Sequence, residues 1–153
     1  MPQPGRLWTV EEANGRLDEL RELLPELRSW SVRLGQIHEE LQRLAKFWGK
    51  ELDAIDHPDR PLKERLESEW AELRRRLEHE VGRLAEEGIE VKDLEMGLVD
   101  FYGLVHEELV LLCWRKEEES VDFFHSLNGG YRNRQPIPDS ARKARWRKPP
   151  TPA

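Results

Sequence analysis

Apolar residues recur along the first third of the chain at alternating spacings of three and four. Leu17, Leu20, Leu24, Leu27, Leu34, Leu41, Trp48, Leu52 and Ile55 hold this row, with Ser31, His38 and Ala45 in the same phase. Such a row is one face of a long helix. Its start is marked by Thr9 and Glu12, whose spacing lets each side chain accept a hydrogen bond from the other residue's backbone N–H, so the helix is expected from about Val10. Pro25 removes one backbone donor and disfavours helical geometry at Leu24, which predicts a kink or brief break there although the row stays in phase.

Residues 53–61, DAIDHPDRP, are polar and contain two prolines, which is turn chemistry. Beyond them Leu62, Leu66, Trp70, Leu73, Leu77, Val81 and Leu84 advance with an average close to the 3.6 residues of a straight helix, and Gly88 supplies its C-terminal stop. Two helices with one apolar row each, joined by a short loop, predict a long antiparallel hairpin over residues 9–88.

After Gly88 the period falls to two. Ile89 and Val91 alternate with Glu90 and Lys92, a short run follows at 98–101, and residues 109–114 are apolar except for the weakly polar Cys113. A last run at 121–125 ends in the turn sequence LNGG. The expectation is a small, mainly antiparallel sheet of three or four strands over 89–126, with 109–114 central and covered on both faces. The fold class is therefore α+β: a helical hairpin with a small C-terminal sheet at one end, in a single domain over residues 1–137, followed by a basic flexible tail at 138–153.

Composition refines this picture. The 153 residues suit one domain, and a charged fraction of 37%, against about 25% in an average domain, fits long solvated helices. No apolar run approaches the roughly 18 residues of a membrane span, and the opening MPQPGRLWTVEEANG lacks the basic and apolar regions of a signal peptide. A cytoplasmic protein with no membrane partner is the expectation. The net charge of −6 is uneven: from residue 131 onward seven basic residues face one acidic residue, so the body before it carries −12. An acidic body repels phosphates. The tail SARKARWRKPPTPA, with Trp146 among basic residues, offers phosphate contact and base stacking, but its shortness and terminal prolines favour a solubilising or subunit-clasping role over nucleic-acid binding.

Candidate chemistry centres on Asp100, Cys113 and His125. Adjacent strands can bring a carboxylate, a thiol and an imidazole together, the groups that bind zinc or run nucleophilic chemistry. Against this, a lone cysteine commonly behaves as a small buried hydrophobe, and strand register decides whether the three share a face. A structural role is preferred, and no tightly bound metal or other cofactor is expected. His38 lies on the apolar row of the first helix, His79 off the row of the second, and His57 and His106 in loops, with no helical ligand spacing, HExxH, Gly-rich phosphate loop or GxSxG. Glu117, Glu118 and Glu119 read as a solvated turn.

The motifs TVEEAN, VKDLEMGLVDF, LLCW, FFH and RQPI occur in this order between Thr9 and Ile137. In this the chain resembles the uncharacterised bacterial family catalogued as domain of unknown function 2203. The resemblance implies a small bacterial cytoplasmic protein and carries no catalytic or binding residues with it.

Two function classes follow. One is a non-enzymatic interaction domain that associates with itself, as a homodimer or larger homo-oligomer, and with a further protein partner. The other is a small ligand- or metal-binding, or catalytic, domain using Asp100, Cys113 and His125. The first is preferred because Leu23, Trp30, Ile37 and Leu44 form a second row at seven-residue intervals, a coiled-coil spacing that widens the apolar face beyond what one helix covers. Trp30, Ile37 and Leu44 are the candidate interface. The two-sided central strand adds to this, since one hairpin covers only one of its faces.

Overall fold

The computed structural model describes residues 5–142. In chain order the elements are α1 (Val10–Asn14), α2 (Leu17–Trp48), a 3-10 turn (Gly49–Asp53), α3 (Arg60–Glu86), β1 (Ile89–Asp93), β2 (Leu98–Val105), β3 (Glu108–Arg115), β4 (Phe123–His125), a second 3-10 turn (Tyr131–Asn133), β5 (Gln135–Pro136) and α4 (Asp139–Arg142). The class is α+β, with five strands where three or four were expected. The additional one is the two-residue β5, too short to leave a periodic signal. No described helix is long and apolar enough to cross a membrane.

The capping box forms as expected: Glu12 N–H donates to the Thr9 hydroxyl and Thr9 N–H donates to the Glu12 carboxylate, each at 3.1 Å. The helix it opens is short, however. Gly15 ends α1, and the Asn14 side chain accepts a 2.7 Å hydrogen bond from Val121 N–H, so a distant segment fixes this turn. Asn-Gly is a turn pair, and here it outweighs the helical row. Conversely, α2 runs without interruption through Pro25, where a kink or break was expected. A proline inside a helix costs about 3 kcal/mol. Pro25 and Arg21 are both on the exposed side, so water can reach the carbonyl that the proline leaves without a donor.

The chain forms two compact units: one is Pro25–Glu80, the other the segments on either side of it. Within Pro25–Glu80, α2 and α3 lie antiparallel, clasped by a bidentate pair from Arg33 to Glu69 at 2.7 and 3.0 Å and by a 2.8 Å bond from the Trp48 indole to Asp59. Leu27, Ile37, Leu52 and Leu66 are buried in this unit, while His38 and Ala45 are exposed. The buried face of α2 thus passes from the row of Leu17, Leu20 and Leu24 to the adjacent row of Ile37. Its neighbour differs along its length: Leu17, Leu20 and Leu24 join the core cluster of the other unit, and farther along Arg33 pairs with Glu69 of α3.

In the other unit the sheet is a meander, ordered β1-β2-β3-β4-β5 with every pair antiparallel and β3 central. Val99, Phe101, Val110, Leu112 and Trp114 face the main core with Trp8, Leu17, Leu20, Leu24, Leu84 and Ile89. The segment before α1 runs beside β2, bridging it in parallel at Trp8 and Gly103, with Trp8 N–H donating to Tyr102 C=O at 2.7 Å. Gly103 permits this approach, since a Cβ there would stand 2.7 Å from the Trp8 carbonyl oxygen. Gly88, at φ 78°, turns the chain from α3 into β1. The second face of β3 is buried by the chain itself: Tyr131 and Arg134, downstream of β4, fold back over it, and the Arg134 guanidinium lies 4.1 Å from the centre of the Phe123 ring. A partner is not needed to cover this face.

Of the segment at 138–153, α4 is described and residues 143–153 lie outside the described residues. Ala141 is buried, and Arg142 donates to Asp122 at 2.9 Å.

Candidate functional site

Register settles which side chains meet. Asp100 on β2 pairs with Cys113 on β3, while Cys113 and Leu111 pair with Phe123 and His125 on β4. Residues opposite one another share a face, and alternate residues along a strand return to it. Asp100, Cys113 and His125 therefore all project from the face opposite the main core. They are 1%, 0% and 3% exposed, and one donor atom from each lies within 4.8 Å of the other two. The three candidates chosen from the sequence form one cluster.

Its hydrogen bonds carry a proton argument. His125 Nδ1 lies 2.7 Å from the Ser126 carbonyl oxygen, which can only accept, so Nδ1 bears hydrogen. His125 Nε2 lies 3.0 Å from Asp100 Oδ2. A neutral imidazole beside an ionised carboxylate would set two acceptors against each other there. The contact consequently holds one proton, as imidazolium with carboxylate or as imidazole with carboxylic acid, and either form is neutral overall. Burial pushes the Asp100 carboxyl above its ordinary range, with the imidazole charge and hydrogen bonds opposing it. Asp100 Oδ1 is buried without a hydrogen-bond partner, a defect that ordinarily costs about 1–3 kcal/mol. Cys113 approaches the carboxylate without satisfying Oδ1. Burial first, and then the Asp100 charge, push the Cys113 thiol up to about 12.

Around this centre lie residues that the sequence pattern did not mark. Arg134 faces the Cys113 thiol, stacks on Phe123 and Tyr131, and donates to Glu118 at 2.9 Å. Glu118 also accepts from Arg115 N–H at 2.8 Å and is partly buried, so the acidic run at 117–119 is only in part a solvated turn. Both residues sit in irregular backbone, where periodicity gives no cue.

Nucleophilic chemistry does not suit the cluster. The thiol holds its proton, and both imidazole nitrogens are engaged elsewhere than on sulfur, so no thiolate–imidazolium pair forms. Ligation suits it better. The remaining histidines are apart from it: His57 packs 4.4 Å from the Trp48 ring, His106 is in the β2–β3 turn, and His38 and His79 are exposed.

The candidate interface residues lie on α2. Ile37 is fully buried within its own unit, while Trp30 and Leu44 are half-exposed. Leu44 lines a groove with Phe47 and Trp48, edged by Glu40, Arg43, Lys46 and Asp59. Phe47 is 77% exposed and Ile55, in the following loop, 90%.

A family model described as "Uncharacterized conserved protein (DUF2203)" matches residues 6–137. No curated protein and no solved structure matches the chain.

Proposed function

Since the chain belongs to the DUF2203 family, whose description names no activity, we propose that it is a non-enzymatic interaction domain that pairs with a second copy of itself through the loop end of the helical hairpin. The carrying observation is Phe47, a large aromatic left 77% exposed beside an apolar groove. Exposed apolar surface rimmed by polar groups is characteristic of association sites. The rim holds both signs, with Arg43 and Lys46 against Glu40 and Asp59. A twofold contact sets the same patch against itself, so a patch with both charges can be complementary to itself. Leu44, half-buried, lines the same groove.

Light scattering at micromolar concentration tests this reading, with an expected mass twice the single-chain 18.1 kDa. Phe47→Glu should return the mass to one chain while the chain stays folded by circular dichroism, whereas His79→Glu, at an exposed position on α3, should leave the dimer intact. Wild-type protein that remains at one chain mass would remove the proposal.

A further inference from the structure

We propose that Asp100, Cys113 and His125 form a binding site for one divalent first-row transition ion of the zinc class. This is a property of the sheet and is independent of the pairing surface on the hairpin.

Three strands supply one donor each: a carboxylate oxygen, a thiol sulfur and an imidazole nitrogen. These are zinc ligands, with bonds of about 2.0–2.3 Å, which puts ligand atoms roughly 3.3–3.6 Å apart at tetrahedral angles. The donors already lie within 4.8 Å of one another, and the His125–Asp100 pair is at 3.0 Å, so small side-chain movements suffice. The mixed nitrogen, sulfur and oxygen set suits zinc and cobalt better than magnesium or calcium, which take oxygen.

Two details of the cluster point independently to a cation. His125 already has the outer hydrogen bond of a ligating histidine: Nδ1–H is tied to the Ser126 carbonyl, which turns Nε2 inward as the ligand. Asp100 Oδ1 is the second, a buried acceptor with no donor to meet it. A metal ion would relieve this defect.

Charge balance agrees: a divalent ion held by a thiolate, a carboxylate and a neutral imidazole forms a neutral set, as suits a buried place. The nearby Arg134 does not leave an unbalanced positive charge, since it is paired with Glu118 at 2.9 Å. Three protein donors leave the fourth position of a tetrahedral ion to a non-protein ligand.

Titration of the chelator-stripped full chain with cobalt chloride tests the site. Expected are one equivalent bound, intense visible bands of a tetrahedral ion, and a near-ultraviolet sulfur-to-cobalt charge-transfer band that Cys113→Ser abolishes. Asp100→Asn should weaken binding at least tenfold. Should Cys113→Ser fail to fold, X-ray absorption of the zinc-loaded wild-type protein decides, with one sulfur among nitrogen and oxygen neighbours expected. Failure to bind one equivalent at micromolar protein, a charge-transfer band that survives Cys113→Ser in folded protein, or a zinc shell without sulfur would each overturn the proposal.

Discussion

His125 stands between Asp100 and the Ser126 carbonyl, its Nε2 3.0 Å from the carboxylate and its Nδ1 2.7 Å from the carbonyl oxygen. This makes the two residues unequal on mutation. His125→Ala strands a buried carboxylate and should cost about 3–5 kcal/mol, whereas Asp100→Asn, whose amide can donate to Nε2, should cost about 1–2 kcal/mol. The double variant should recover part of the His125→Ala loss. Urea unfolding of the four chains measures the coupling, and additive losses would show that the pair does not act as one.

In the metal-free folded protein Cys113 should be slow toward thiol reagents and should make stability fall at high pH. The folded chain keeps the thiol proton up to about 12, while an unfolded cysteine releases it near 8.5. The folded-state value is raised, so the contribution is complete below about pH 8.5 and is lost as pH rises toward 12, by at most about 1.4 kcal/mol per unit. Tyr102, pushed up to about 12 by burial and by its bond to Glu90, adds a similar loss above about pH 10. Unfolding measured at pH 9 to 10 should therefore separate wild type from Cys113→Ala. A disulfide reagent should react with the native protein only as fast as it opens.

Shortening the chain in two steps isolates α4. A protein ending at Ile137 lacks buried Ala141 and the Arg142–Asp122 bond, both kept by a protein ending at Arg142. Calorimetry should place the shorter chain a few degrees lower, as expected for a loss of about 1–2 kcal/mol in a chain of this size. Equal melting temperatures would show that these contacts contribute nothing.

Gly103→Ala should loosen the N-terminal segment. Its Cβ would meet the Trp8 carbonyl oxygen at 2.7 Å and the Leu112 side chain at 2.9 Å, so either Trp8 or the strand must shift. Trp8 also donates its indole N–H to the Glu87 carbonyl at 2.7 Å. Indole hydrogen exchange at Trp8 should accelerate in the variant, and unchanged protection would contradict this.

Much of this arrangement was legible because periodicity and end signals are local. Thr9 with Glu12, the row from Leu62 to Leu84, Gly88, and the unbroken apolar run around Leu111 each predicted their element. The break at Gly15 and the continuity through Pro25 depart from the helical row because both depend on surroundings: Val121 fixes the Asn14–Gly15 turn from afar, and solvent reaches the carbonyl that Pro25 leaves without a donor. Ile37 replaced His38 as the buried residue because the partner of α2 changes along its length. The members of the Asp100, Cys113 and His125 cluster were identifiable by residue type, but their shared face depended on register. Register arises from pairings that no single segment encodes. Glu118 and Arg134 were beyond reach, since they meet through a segment without regular structure.

The meander has a consequence for the order of events in folding. Each strand's neighbours in the sheet are also its neighbours in sequence, so pairing can start locally, with β2 and β3 joined by the two-residue turn His106–Glu107. The N-terminal segment reaches its contacts over much longer stretches of chain, 79 residues from Trp8 to Glu87 and 107 from Asn14 to Val121. Closing such loops carries an entropic cost that local pairs avoid, and contacts of this kind slow folding. Trp114, whose indole bonds to a carbonyl four residues away, should reach its native environment early, and Trp8 late. The sheet would then stand as a partly open layer until residues near the start of the chain return to cover it.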